Sequence, residues 1–227
     1  MRTRIIAITA LLIMIAMPAM AEVWTFGDSA THWDGWGTWS ENKKDVIGIP
    51  DFSGGEATIS GGNTLQGVSF FFSVDQYQNL YSSLTSGDLF INTDDDNAWN
   101  YVVRLNSDLT ASVYEFEKSY TDRTAYKLAF ANGDYRDYHP AWAKVWGEAI
   151  ATGTWSGMPG LDANSDGIIT ISGLNISFDK LTLSYTVSCA NDVVMADSFS
   201  QTPIPGAVWL LGSGLLGLIG MRRRARA

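Results

Sequence analysis

Leu181-Thr-Leu-Ser-Tyr-Thr-Val-Ser188 alternates between large apolar or aromatic residues and small hydroxyl residues over its whole length. Successive side chains of a β-strand point to opposite faces of the sheet. The alternation therefore predicts a strand with one buried face and one solvated face. The predicted buried face carries Leu181, Leu183, Tyr185 and Val187, and the predicted solvated face carries Thr182, Ser184, Thr186 and Ser188.

Similar short apolar segments occur throughout the middle of the chain, separated by clusters of Gly, Asn, Asp and Ser. Short turns such as residues 106–108 and 179–180 fit hairpins and leave no room for crossover helices. The sequence therefore predicts an all-β fold, an antiparallel β-sandwich of jelly-roll type. The further predicted strands are residues 56–60, 65–74, 88–92, 99–105, 110–116, 126–131 and 168–178.

One helix is compatible with the pattern in this middle region. After Pro140, the residues Ala141, Trp142, Val145, Trp146 and Ile150 fall at helical spacing. An irregular loop rich in aromatic residues fits the same sequence equally well.

The N-terminus has the form of a secretory signal. Arg2 and Arg4 precede an apolar run, and Ala19-Met20-Ala21 supplies the small-x-small pattern that signal peptidase cleaves. The run is shorter than the roughly 20 apolar residues that span a bilayer. We expect residues 1–21 to be a signal peptide, residues 22–200 to form one domain, and residues 201–227 to form a separate C-terminal signal.

That C-terminal segment has three parts in a fixed order. A proline motif, Pro203-Ile204-Pro205, is followed by a short Gly-rich apolar stretch and then by Arg222, Arg223 and Arg224. Proline holds the motif extended, the apolar stretch favours a membrane helix, and the Arg cluster favours the cytoplasmic side. An ordinary membrane anchor is the alternative, but the apolar stretch is short and contains four glycines.

This tripartite tail resembles the PEP-CTERM class of sorting signals, in its Val-Pro-Leu-Pro-Ala-like variant, with Thr202 and Gly206 as departures. The resemblance implies processing by an exosortase, a membrane-embedded transpeptidase-like enzyme, near the proline motif. It also implies a transmembrane sorting helix that holds the chain transiently in the inner membrane before it reaches the cell surface or the extracellular matrix. The expected protein is therefore an exported surface protein whose β-domain serves structure or adhesion without catalysis.

The charge of the middle region excludes one class of partner. Six of the 15 basic residues lie in the two end segments, whereas all 24 acidic residues lie between them, which leaves nine basic residues and a formal charge of −15. Such a charge repels nucleic-acid phosphate and attracts divalent cations. We expect no nucleic-acid binding.

Residues 162–170 resemble the first part of an EF-hand or dockerin-type calcium loop. Asp162, Asn164, Asp166 and Thr170 supply side-chain oxygens at positions one, three, five and nine, and Ile168 supplies a backbone carbonyl at position seven. Position twelve is Gly173, so the usual bidentate carboxylate is missing, although Asp179 or Asp192 could replace it through the fold. A solvated turn explains the same residues without an ion.

A second, weaker copy of the pattern follows a predicted strand. Asn92, Asp94 and Asp96 repeat the one-three-five spacing, but Asn97 stands where the calcium loop needs Gly. The sequence thus offers two candidate calcium loops, of which the first matches better.

Catalytic motifs are not evident in the sequence. His32 and His139 are the only histidines, and the pair Glu115 and Glu117, which imitates a glycosidase pair, is better explained as the solvent face of an amphipathic strand. Trp33, Trp36 and Trp39 crowd a Gly-rich stretch, where exposed indoles would stack on sugar rings. Burial of these indoles in the core is the alternative. A calcium-stabilised carbohydrate-binding module that recognises surface polysaccharide is therefore the alternative function, ahead of a secreted glycosidase.

Overall fold

The computed structural model describes residues 21–28, 51–72, 85–131, 134–157, 167–188, 190 and 192–199. Within these ranges the chain forms twelve β-strands and one short 3-10 turn at Arg123–Ala125, with no α-helix. The predicted all-β, antiparallel character is confirmed. The strands are β1 (Glu22–Gly27), β2 (Phe52–Ser60), β3 (Thr64–Phe72), β4 (Asp88–Asn92), β5 (Ala98–Leu105), β6 (Thr110–Ser119), β7 (Tyr126–Ala131), β8 (Asp134–Ala143), β9 (Ala151–Ser156), β10 (Ile168–Ser177), β11 (Leu181–Thr186) and β12 (Val193–Phe199).

Ten of these strands form one antiparallel sheet in the order β1-β2-β3-β10-β9-β6-β5-β4-β11-β12, and β7 pairs with β8 as a separate hairpin. The sheet curls so that β12 at one edge approaches β2, the second strand from the other edge. Here the backbone amide of Phe52 at the start of β2 donates to the carboxylate of Asp192 beside β12. The fold is therefore a single, nearly closed, barrel-like sheet, whereas the sequence predicted two sheets packed as a jelly-roll sandwich. β3 pairs with β10 and β6 pairs with β9, so the hydrogen-bonded ladder runs unbroken from β1 at one edge of the sheet to β12 at the other.

The predicted signal and sorting helices lie outside the described residues. None of the described segments forms an apolar helix long enough to cross a bilayer.

The interior of the curled sheet is the main hydrophobic core, and Tyr185 lies at its centre. The Tyr185 ring stacks on Phe70 of β3 with centroids 4.6 Å apart, and meets Phe52 of β2 edge to face at 5.8 Å. Its hydroxyl lies 2.8 Å from Ser86 Oγ, so the one polar atom of the ring is satisfied. These contacts bring β11 against β2 and β3 from opposite ends of the sheet order.

A second hydrophobic core lies between the outer face of the sheet and the β7–β8 hairpin. It is built largely from aromatic rings, with Phe90 of β4 in contact with Trp99, Phe116 and Tyr126 at centroid distances of 5.7 to 6.2 Å. The hairpin therefore covers the face of β4 that does not point into the barrel.

The second core overturns the solvated face that the alternation of residues 181–188 predicts. Thr182, Ser184 and Thr186 are all buried, at 8%, 0% and 0% exposure. The hydroxyl of Thr186 donates to the Asp192 carbonyl at 2.6 Å, which offsets the cost of removing it from water. The strand itself is correctly predicted, and only the environment of its polar face is wrong.

The segment after Pro140 is neither a helix nor entirely a loop. β8 continues through Ala141 and Trp142 to Ala143, and residues 144–150 have no regular structure. Trp146 in this irregular stretch is 90% exposed. The loop alternative is thus confirmed for residues 144–150, whereas the three preceding residues belong to a strand.

Gly87 lies where β8 passes close to the sheet. A Cβ atom at this position would lie 2.5 Å from the carbonyl oxygen of Thr186 and 2.7 Å from that of Ala141. Real Cβ atoms do not come this close to backbone oxygens, so glycine is required for the hairpin to lie against the sheet here.

Candidate functional site

A cleft of about 660 Å³ opens where β4 begins and β5 ends, beside the β7–β8 hairpin. This volume lies within the range of ligand sites in proteins, about 300–1,000 Å³. Its walls combine two indoles and one aliphatic side chain with hydroxyl, amide and charged groups. The lining residues are Thr85, Ser86, Asp88, Arg104, Leu105, Asn106, Ser107, Lys127, Trp142 and Trp155.

An ion pair with a buried carboxylate lies in the wall of this cleft. Asp88 is 1% exposed and binds Arg104 in a bidentate manner, with Nε to Oδ1 at 3.1 Å and Nη2 to Oδ2 at 2.8 Å. The same Nη2 donates to the Ala143 carbonyl at 2.8 Å, and the Ala143 amide donates to Asp88 Oδ2 at 2.8 Å. The pair therefore joins β4 and β5 to the end of β8, and fixes the hairpin against the sheet.

Burial is the largest single influence on the pKa of each group in this pair. Desolvation raises the pKa of the Asp88 carboxyl, although the hydrogen bond and charge of Arg104, the Ala143 amide and the more distant charge of Lys127 all act to lower it. Desolvation also acts to lower the pKa of Arg104, but its hydrogen bonds and attraction to Asp88 outweigh this and raise it. Arg104 is thus a fixed cation, and the protonation state of Asp88 depends on its presence.

Both indoles in the cleft are held by their N–H groups. Trp142 Nε1 donates to the Ser86 carbonyl at 2.9 Å, and Trp155 Nε1 donates to the Asn106 carbonyl at 2.8 Å. Trp155 is 5% exposed and belongs to the main core, whereas Trp142 is only half-buried. The Trp142 ring is therefore a preoriented apolar surface available to a ligand.

The Ser86 hydroxyl and the Asp88 carboxylate in the cleft wall are both bonded within the fold. The Ser86 hydroxyl is committed to Tyr185 and to the Gly87 carbonyl, and the pKa of the Tyr185 hydroxyl is raised by burial. Neither hydroxyl has a basic partner among the described residues that would make it a nucleophile. The Asp88 carboxylate accepts three hydrogen bonds within the fold, which leaves it poorly placed to abstract a proton.

The weaker candidate calcium loop is fully described, and its side chains bind its own backbone. Asn92 Oδ1 accepts from the amides of Asp94 and Asp95, both at 3.0 Å. Asp94 Oδ1 accepts from the Asp96 amide at 3.3 Å, and Asp96 Oδ1 accepts from the Ala98 amide at 2.7 Å. These bonds form a series of Asx turns, which need no ion.

The carboxylates next to this loop also have partners in the protein. The Asn100 side-chain amide lies 3.4 Å from Asp94 Oδ2 and 3.5 Å from Glu117 Oε1, and Lys180 pairs with Asp95. Among the described residues, no group of three or more His, Cys, Asp or Glu side chains is arranged to hold a metal ion. Calcium binding by this loop stays a prediction.

The better-matching loop lies mostly outside the described residues, which include Ile168 and Thr170 but not Asp162, Asn164 or Asp166. Ile168 and Thr170 begin β10, where the Thr170 hydroxyl lies 3.2 Å from that of Ser69 on β3. The carboxylate considered as a replacement ligand at Asp192 is buried and bound to the Phe52 amide. Of the two replacement candidates, Asp179 is the exposed one.

Several other predicted site residues also lie outside the described part of the chain. These are Trp33, Trp36 and Trp39, the motif Pro203-Ile204-Pro205, the cluster Arg222, Arg223 and Arg224, and the signal-peptide residues 1–20. The predictions made for these residues therefore stay predictions.

Glu115 and Glu117 are both exposed, as expected for a solvent face. A β-bulge interrupts the pairing of β5 and β6 beside them, and Glu117 adopts a left-handed backbone conformation with φ of 42°. Simple alternation therefore does not apply at Glu117. Neither residue lines the cleft.

Four residues that define the cleft were not predicted as site residues from the sequence, and these are Asp88, Arg104, Trp142 and Trp155. One signal was present, because Asp88 and Arg104 each adjoin a run of apolar residues, Leu89 to Ile91 and Tyr101 to Val103. A charge at the end of a buried strand requires a partner of opposite sign. The register that makes Asp88 face Arg104 comes only from the pairing of β4 with β5.

Comparisons with known protein families, with curated proteins and with solved structures find no match for this chain.

Proposed function

We propose that this chain is an exported, exosortase-processed protein of the cell surface or extracellular matrix, whose barrel-like β-domain serves a structural or adhesive role without catalysis. The observation that carries the proposal is the ordered tail, in which the proline motif, the apolar stretch and the Arg cluster follow one another at residues 203–224. Signal peptidase and exosortase are the processing partners in this proposal, and the inner membrane is a transient location.

The geometry of the β-domain supports a structural role. Both faces of β4 and β11 are buried, and the Asp88–Arg104 pair fastens the hairpin to the sheet. The Asp88–Arg104 pair in the cleft wall is thus part of the framework of the fold. Such a framework suits a surface protein that has only one cysteine, and hence no internal disulfide.

Mass spectrometry of the native protein tests this proposal. The surface-located form is expected to lack residues 1–21 and the Arg-rich terminus. Surface-located material that retains Arg222, Arg223 and Arg224 would contradict exosortase processing. Accumulation of the unprocessed chain after replacement of Pro203 and Pro205 by alanine would support it.

A second candidate function is binding of surface polysaccharide, which the half-buried Trp142 ring in the cleft favours. An indole held by its N–H group offers a flat apolar face to a sugar ring. In this form of the proposal, calcium at Asp162, Asn164 and Asp166 stabilises the domain and takes no direct part in binding.

A further inference from the structure

We propose that the cleft binds a saccharide unit that carries a carboxylate, with Trp142 beneath the sugar ring and Lys127 and Arg104 facing the acid. This inference deepens the second candidate function by naming the chemical class of its ligand. The net formal charge of the lining side chains is positive, whereas that of the domain around them is negative.

The charged residues of the lining are Asp88, Arg104 and Lys127. Asp88 and Arg104 neutralise one another through their bidentate contact, so the formal charge that remains among the lining residues is the positive charge of Lys127. Lys127 is exposed, and in the described part of the chain its ammonium group forms no hydrogen bond or ion pair. The domain as a whole has a formal charge of −15. Charges further away than about 8 Å are screened at physiological salt, so a ligand in the cleft is affected mainly by the nearby positive charge of Lys127.

Arg104 supplies a second unused donor. Its Nε and Nη2 atoms are occupied by Asp88 and the Ala143 carbonyl, whereas Nη1 has no hydrogen-bond partner among the described residues. The guanidinium is fixed by these bonds, and its side chain is still 30% exposed. It can therefore donate to a ligand oxygen without losing its contact with Asp88.

The remaining walls match the other parts of a sugar. Trp142 gives a flat apolar face, and the exposed Thr85 and Ser107 give hydroxyl groups beside it. One oriented aromatic ring, several hydroxyls and two cationic donors around one cleft fit a ring with an apolar face, hydroxyl groups and one carboxylate.

Calorimetric titration of the purified full-length chain tests the inference. The two probes are an α-1,4-linked tetramer of galacturonic acid and the same tetramer with its carboxylates methyl-esterified, so that only the charge differs. We expect the acid to bind at least tenfold more tightly than the ester at low salt, with a difference that shrinks as salt is added.

Two variants locate the binding site. Lys127→Gln should remove most of the preference for the acid and leave binding of the ester unchanged. Trp142→Ala should weaken binding of both tetramers at least tenfold. The matched controls are Lys118→Gln and Trp146→Ala, which alter exposed residues outside the lining and should change neither affinity.

Each outcome bears on the inference. Equal affinity for acid and ester would overturn the carboxylate assignment and leave saccharide binding standing. Binding of neither tetramer, or equal losses in Lys118→Gln and Lys127→Gln, would overturn the site itself. The surface location of the processed chain is measured separately, so its failure is distinguishable from all of these results. Lys127 is exposed and makes no internal bond in the described structure, so its variant is informative even where Trp142→Ala impairs folding.

Discussion

The carboxylate of Asp192 accepts a hydrogen bond from the backbone amide of Phe52, which lies 140 residues earlier in the chain. Asp192 is completely buried, and this bond joins the start of the edge strand β12 to β2, the second strand from the opposite edge of the curled sheet. Closure of the barrel thus depends on one side chain as well as on the apolar contacts of the core.

Replacement of Asp192 should therefore destabilise the whole domain. Asp192→Ala leaves the buried Phe52 amide without its acceptor, which costs about 1–3 kcal/mol in free energy of unfolding. Asp192→Asn keeps an oxygen acceptor and should lose less. Urea unfolding of both variants measures the difference, and equal stability of Asp192→Ala and the wild type would show that the bond contributes nothing to closure.

Gly87 is predicted to be intolerant of any side chain. Gly87→Ala places a methyl group against the carbonyl oxygens of Thr186 and Ala141, and should lower the free energy of unfolding by about 1–3 kcal/mol. Gly27→Ala is the matched control, because a Cβ at Gly27 meets nothing within 4 Å. Thermal unfolding distinguishes the two substitutions, and a similar melting temperature for both would mean that β8 moves freely away from the sheet.

Loss of Arg104 should make stability depend on pH. Arg104→Met leaves the Asp88 carboxylate buried without its cation, which costs about 3–5 kcal/mol at neutral pH. Burial already raises the pKa of Asp88, and removal of Arg104 raises this pKa further. The folded variant therefore binds a proton that the unfolded chain releases, so its stability relative to the wild type falls as pH rises from the ordinary carboxyl range through the raised pKa.

Unfolding of Arg104→Met and wild type at a series of pH values measures this dependence. The double variant Asp88→Asn, Arg104→Met keeps an acceptor for the Ala143 amide without the charge. It should recover part of the stability at neutral pH and lose the added pH dependence. A deficit in Arg104→Met that is constant with pH would mean that the lost contacts matter and the buried charge does not.

Calcium should raise the melting temperature of the purified chain if the loop from Asp162 to Thr170 binds it. At a calcium concentration 100 times the dissociation constant the stabilisation is about 2.7 kcal/mol, which corresponds to several degrees. Asp162→Ala should abolish this calcium-dependent shift. Asp94→Asn should leave it nearly intact, because Asn92, Asp94 and Asp96 already form Asx turns with their own backbone.

Differential scanning calorimetry with calcium and with a chelator makes the measurement. The compared quantity is the shift between the two conditions, because a substitution in a turn also changes the melting temperature without any ion. A wild-type melting temperature that is unaffected by chelator would reduce the Asp162 loop to a turn.

The sequence determined features that depend on residues close together in the chain. Alternation identified the strand at residues 181–188, and the inward position of Leu183 and Tyr185 followed from it. The clusters of Asn, Asp and Gly located the turns, since their side chains bond the backbone two or three positions away. Eight of the twelve described strands were therefore predictable close to their observed bounds, whereas β1, β8, β9 and β12 were not predicted.

The tertiary structure determined which strands are buried on both faces and where a cleft forms. The β7–β8 hairpin covers the outer face of the sheet, and it places Trp142 beside Asp88, more than 50 residues earlier in the chain. Burial of Ser184 and pairing of Asp88 with Arg104 follow from this packing and from strand register. Side-chain periodicity distinguishes the two faces of a strand but does not identify what packs against each face. That packing depends on the total apolar area that the whole chain removes from water when it folds.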